Sequence, residues 1–89
     1  MKICKRCIVS GRVQGVVYRD ATQHQAHTLN ITGYAKNLPG GSVEVLACGA
    51  ERDINELRDW LWEGSRLAQV SAVQCSGVTD QDLRGFDTL

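Results

Sequence analysis

In this 89-residue sequence, the residues whose types and spacing best suit chemistry lie in Gly11-Arg12-Val13-Gln14-Gly15-Val16-Val17-Tyr18-Arg19. An apolar run, Cys7-Ile8-Val9, enters the stretch, and a helix-compatible segment, Asp20 to Leu29, leaves it. Glycine frees such a turn to take unusual φ/ψ angles and to aim successive backbone N–H groups at one spot. The start of a helix adds N–H groups without intrahelical partners and a dipole that favours an anion. Arg19 stands where that helix should begin, and a guanidinium there can grip two oxygens of a phosphate or carboxylate in a fork. Taken alone, the stretch is either an anion cradle walled by Arg19 or a tight turn with a surface arginine. The Rossmann G-x-G-x-x-G is absent, and no Gly-Lys-Ser/Thr follows to make a Walker A loop.

Other side chains offer weaker chemistry. Cys4-Lys5-Arg6-Cys7 has the C-x-x-C spacing of redox and zinc motifs, but the other cysteines, Cys48 and Cys75, form no second such pair. On a strand, residues three apart point to opposite faces, so Cys4 and Cys7 should not share a metal or bridge one another. The reading is a buried Cys7 and a separate Cys4 at an edge. His24 and His27 are three apart on a helix without an acidic third ligand, and Asp80 and Asp82 sit in a loop-like tail. Both pairs read as solvated, and no metal site is expected. Trp62 falls off its helix stripe and reads as a partly exposed side chain.

These residues need elements to hold them. At this length the chain is one domain, residues 1–89, with one modest core. Apolar residues make up 43%, as in a folded protein, and ten basic residues balance ten acidic ones. That balance gives no global field for nucleic acid or an acidic membrane, so an anion site must be local. No apolar run approaches a membrane span, and the N-terminus resembles no signal peptide. A cytoplasmic protein is expected, and a monomer.

Apolar patterning predicts strands at Ile3–Val13, Thr32–Leu38, Ser42–Cys48 and Gln69–Cys75, and helices at Asp20–Leu29 and Glu51–Glu63. Pro39-Gly40 suits the centre of a type II turn, making the second and third strands a hairpin. Val43, Val45 and Ala47 should face the core, with Thr22, Ala26 and Leu29 lining the first helix and Ile54, Leu57 and Leu61 the second. The tail from Gly77 reads as loop with a short last strand near Phe86. The order βαββαβ, with right-handed crossovers, predicts an α+β ferredoxin-like two-layer sandwich: an antiparallel sheet with two helices on one face. The first two strands then run parallel, so the Gly11–Arg19 turn and Asn37 lie at the same sheet end. The Asn37 carboxamide can hold a water there. Cys4 and Cys48 fall together at the far end, on the face away from the helices. A disulfide is geometrically allowed there, although reduced thiols are the cytoplasmic expectation.

The Gly11–Arg19 stretch, followed by Gly33-Tyr34-Ala35-Lys36-Asn37-Leu38-Pro39-Gly40-Gly41-Ser42-Val43-Glu44-Val45, resembles the paired signature of the acylphosphatase family. The likeness continues through Leu57, Trp60-Leu61, Gly64, Ala68 and Val70. It implies hydrolysis of an acyl phosphate to carboxylate and inorganic phosphate, with no metal, no cofactor and no covalent intermediate. By resemblance, phosphate binds to Val13, Gln14, Gly15, Val16, Val17, Tyr18 and Arg19; Arg19 is the essential ligand; and Asn37 orients the attacking water. The sequence departs from the family at Val17 and Asn30, where glycine is common or usual. Ser65-Arg66 replaces a Pro-rich turn, and the tail lacks a basic ending.

Three rivals remain at this level. A ligand-binding module of the same fold would bind an anion without turnover. An RNA-binding domain would need a basic, aromatic-bearing central strand, but the first and third strands carry no aromatic residue and the net charge is zero. An acylphosphatase-like domain of a carbamoyl-transfer protein would need far more chain. The expected partner is a small acyl phosphate, with no nucleic acid and no membrane.

Overall fold

The computed structural model describes residues 1–89. The elements are β1 (Lys2–Arg12), α1 (Tyr18–Thr28), β2 (Thr32–Asn37), β3 (Val43–Ala50), α2 (Glu51–Leu61), β4 (Gln69–Val78) and β5 (Phe86–Thr88). They form one sheet in the order β4-β1-β3-β2-β5, with the two helices packed on one face. Val43, Val45 and Ala47 point into the core with Cys7 and Val9, as the alternation predicts. Ile54, Leu57 and Leu61 of α2 close it from above. No helix is long and apolar enough to cross a membrane.

Two features depart from the pattern reading. Helix α1 begins at Tyr18 rather than Asp20, and its buried stripe is Tyr18, Thr22 and Ala26. Core burial draws the Tyr18 ring down, and its hydroxyl donates to the Leu61 carbonyl at 2.7 Å. Burial also pushes the phenol pKa upward, so it stays a neutral donor. The sheet, in turn, is mixed rather than wholly antiparallel. β5 lies parallel to β2, with Gly33 opposite Phe86 and Ala35 opposite Thr88, and buries Phe86.

Strand β3 has neighbours on both sides, and its open-face residues Glu44, Leu46 and Cys48 are buried too. Glu44 accepts hydrogen bonds from the Arg6 guanidinium and the Tyr34 hydroxyl. Burial alone would raise its pKa, but these contacts outweigh it and leave the carboxyl below its usual value.

The cysteines correct the sequence reading. Cys4 pairs with Cys48 across β1 and β3, and Cys7 with Cys75 across β1 and β4; all four are disulfide-bonded. The register sets each pair directly opposite. The C-x-x-C spacing sends its two cysteines to opposite faces, so each meets a different strand. Cys4 is accordingly 3% exposed rather than a free edge residue. Each bridge closes a long loop and should stabilise by about 2–4 kcal/mol. Titration of unfolded, unreduced protein should find no free thiol, and full reduction should lower the melting temperature. Four thiols would restore the reduced state expected for the cytoplasm.

Gly33 marks the tightest approach in the sheet. At φ 147°, a Cβ here would fall on the Leu46 carbonyl. Gly33→Ala should therefore cost about 3 kcal/mol in chemical unfolding, because backbone and not a flexible side chain must yield. Gly77→Ala, where nothing lies within 4 Å, is the matched control and should change stability little.

Candidate active site

The segment joining β1 to α1 is a backbone concavity. Gly15 (φ 73°) and Val17 (φ 56°) both take left-handed angles. From Gln14 to Asp20 no N–H donates to any main-chain oxygen; the first that does is Ala21, to Val17 at 3.0 Å. Consecutive free N–H groups in a turn of this kind make an anion-binding concavity, and here they run into a helix N-terminus. Val13, Gly15, Val17, Tyr18, Arg19 and Asp20 line a cavity of about 280 Å³ beside them.

Three side-chain contacts hold this loop. The Gln14 amide nitrogen donates to the Leu38 and Ser42 carbonyls at 2.9 and 2.8 Å, fastening the loop to the β2–β3 hairpin. The Ser65 hydroxyl donates to the Val16 carbonyl at 2.6 Å. Because the peptide is trans, a Val16 carbonyl turned towards Ser65 leaves the Val17 N–H facing the other way. Gly64, at φ 63°, lies against the Tyr18 ring, where a Cβ would collide with it.

The strand order brings Asn37 to the same end. The Leu89 main-chain oxygen accepts from Arg19 Nη1 at 2.6 Å and from the Asn37 N–H at 3.3 Å, so one atom joins the arginine to the end of β2. Gln23 holds α1 to β5 through the Phe86 carbonyl. The Asn37 side-chain oxygen is buried and has no hydrogen-bond partner. A buried polar atom left unpaired is uncommon and calls for a partner from outside the chain.

The sequence-predicted residues therefore come together. Gln14 keeps its N–H free, as a loop that binds through its backbone requires, while its side chain fastens the loop to the hairpin. The contacts of Ser65 and Leu89 were missed. Both end on or begin from main-chain oxygen, which no residue pattern advertises.

Elsewhere the chemistry is thinner. His24 and His27 are exposed, as are Asp82 and Trp62. Cys4 Sγ, Cys48 Sγ and an Asp80 oxygen lie within 4.8 Å of one another, but the two sulfurs are bonded together and offer no thiolate. Asp80 is instead 3.6 Å from Lys2 Nζ. A larger cavity, about 350 Å³, opens at the opposite sheet end beside Lys2, Thr32 and Cys48. The Thr32 hydroxyl beside it is also buried without a partner, but no arginine or glycine-framed loop lines this cavity, and the smaller one is the better anion site.

A family profile described as acylphosphatase matches residues 5–88. The chain belongs to the acylphosphatase family. An acylphosphatase from Halorhodospira halophila is 55% identical over 75 residues, covering 84% of this chain and 82% of that one. Another, from Vibrio parahaemolyticus, is 49% identical over 86 residues, covering 97% and 96%. The structure of an acylphosphatase from Coxiella burnetii superposes with a TM-score of 0.95 at 40% identity, covering 99% of this chain and 93% of that one. The Coxiella burnetii structure covers nearly the whole sandwich of this chain.

Proposed function

We propose that this acylphosphatase hydrolyses the carboxyl–phosphate bond of acyl phosphates with the phosphoryl group seated on the Val13–Arg19 loop. The observation that carries the reading is the unbroken run of unpartnered N–H groups from Gln14 to Asp20 ending beside Arg19. These N–H groups and the Arg19 guanidinium hold the phosphoryl oxygens. Arg19 turns part of its fork from the Leu89 oxygen to the substrate. The Asn37 carboxamide holds a water and sets it in line with the leaving group.

The chemistry asks little more. Water oxygen bonds to phosphorus, the phosphorus–oxygen bond to the acyl group breaks, and the carboxylate leaves with the electron pair. A carboxylate is a good leaving group, so the transition state is loose and catalysis is positioning plus charge stabilisation. No histidine occurs in either motif, and the one carboxylate there, Glu44, is held by Arg6 and Tyr34 on the open face of the sheet, away from the loop. The phosphoryl group itself takes the water's proton, and the product is inorganic phosphate. The substrate is small and diffusible, and a monomer without nucleic-acid or membrane partners can act on it.

The test is hydrolysis of benzoyl phosphate by purified protein with chelator present. The reading expects turnover that survives chelation and is inhibited competitively by inorganic phosphate. Phosphate binding without turnover would leave a recognition module instead.

A further inference from the structure

Val17 is the one residue of the loop whose side chain the fold does not use. It is β-branched, yet it sits at φ 56° and ψ 25°, where its Cβ crowds the backbone and glycine would fit freely. It is also 65% exposed, so no core packing offsets that strain. Its neighbours differ: Val13, Val16 and Tyr18 are all buried. Val17 lines the cavity beside the free N–H groups, and Asp20, also exposed, lines it too. Strain of this kind gathers at functional sites.

We infer that Val17 and Asp20 form the acyl-side rim of the site, and that they favour acyl phosphates whose acyl group is apolar and uncharged. The inference rests on the phosphate seat proposed above. With the phosphoryl oxygens on the N–H groups, the acyl group extends from them towards solvent along the cavity wall that these two exposed side chains line. The Val17 isopropyl group offers apolar contact to a carbon chain or ring. The Asp20 carboxylate repels an acyl group bearing its own negative charge. It also stands in the first turn of α1, where the helix dipole favours a negative charge.

The experiment compares kcat/KM for acetyl, benzoyl and succinyl phosphate in wild type, V17S, V17L and D20N. V17S should lower the benzoyl-to-acetyl ratio by about threefold, and V17L should raise it, the scale of a partial apolar contact at an open rim. D20N should raise the succinyl-to-acetyl ratio by about threefold in dilute buffer, with the gain fading in high salt. A general disturbance of the loop would move all three substrates together and leave the ratios where they were. Either ratio standing still while wild type turns over its substrates overturns the rim and leaves the phosphate seat intact. If wild type hydrolyses none of the three, the proposed function falls and the rim falls with it.

Discussion

Arg19→Ala is expected to lower kcat/KM for benzoyl phosphate by about 10³-fold and to weaken inhibition by inorganic phosphate at least about tenfold. Both losses follow from one removal. The net charge of the chain is zero, so no distant field compensates for the missing cation. The free N–H groups remain, but they carry only partial charges. Arg19→Lys separates charge from geometry: a lysine restores attraction but not the fork, and should recover only part of each loss. Stability is the control. The Arg19 contact to Leu89 is solvent-exposed, so its removal should cost little in melting temperature. Retained phosphate inhibition in the alanine variant would show that the loop binds without its arginine and would remove Arg19 from the mechanism.

The parts of this molecule that sequence revealed are those encoded by local pattern. Alternating Val43, Val45 and Ala47 announced a strand and its inner face, and Pro39-Gly40 announced the hairpin. The structure has Gly40 at φ 95° and a Gly41 to Leu38 hydrogen bond at that turn. Right-handed crossovers then led from element order to the sandwich, and from the sandwich to Asn37 beside the loop. What stayed hidden depends on contacts between distant positions. Tyr18 looked like a loop residue because its ring is claimed by Leu61 and Trp60 of the other helix. Cys7 and Cys75 are 68 residues apart, and only the β1–β4 register sets them opposite. Gln14 and Ser65 act by bonding carbonyls far along the chain, and a carbonyl belongs to every residue alike. The same reasoning explains the limit of the C-x-x-C spacing: it set Cys4 and Cys7 on opposite faces, where they are, but named no partner for either.

Asn37→Ala is expected to reduce turnover by about 10²–10³-fold while leaving inhibition by inorganic phosphate nearly unchanged. The split arises because the carboxamide is assigned to the water and not to the phosphoryl group. Its effect on folding should run the other way from that of most buried polar deletions. Such deletions usually strand a partner, but the Asn37 side-chain oxygen has none within the protein. Removing it takes away a desolvated acceptor and breaks no internal bond, so Asn37→Ala should melt at or slightly above the wild-type temperature. The Asn37 N–H to Leu89 bond survives, because it belongs to the main chain. Asn37→Asp gives the complementary result: an acceptor is kept, but a negative charge now faces the bound anion, so phosphate inhibition should weaken and turnover should not return. Full turnover in Asn37→Ala would mean that water reaches phosphorus without a positioning group. A large stability loss in the same variant would mean that the carboxamide is structural and that its unpaired oxygen is satisfied in solution. Inactive protein that binds phosphate and melts no lower than wild type is the outcome that places Asn37 with the water.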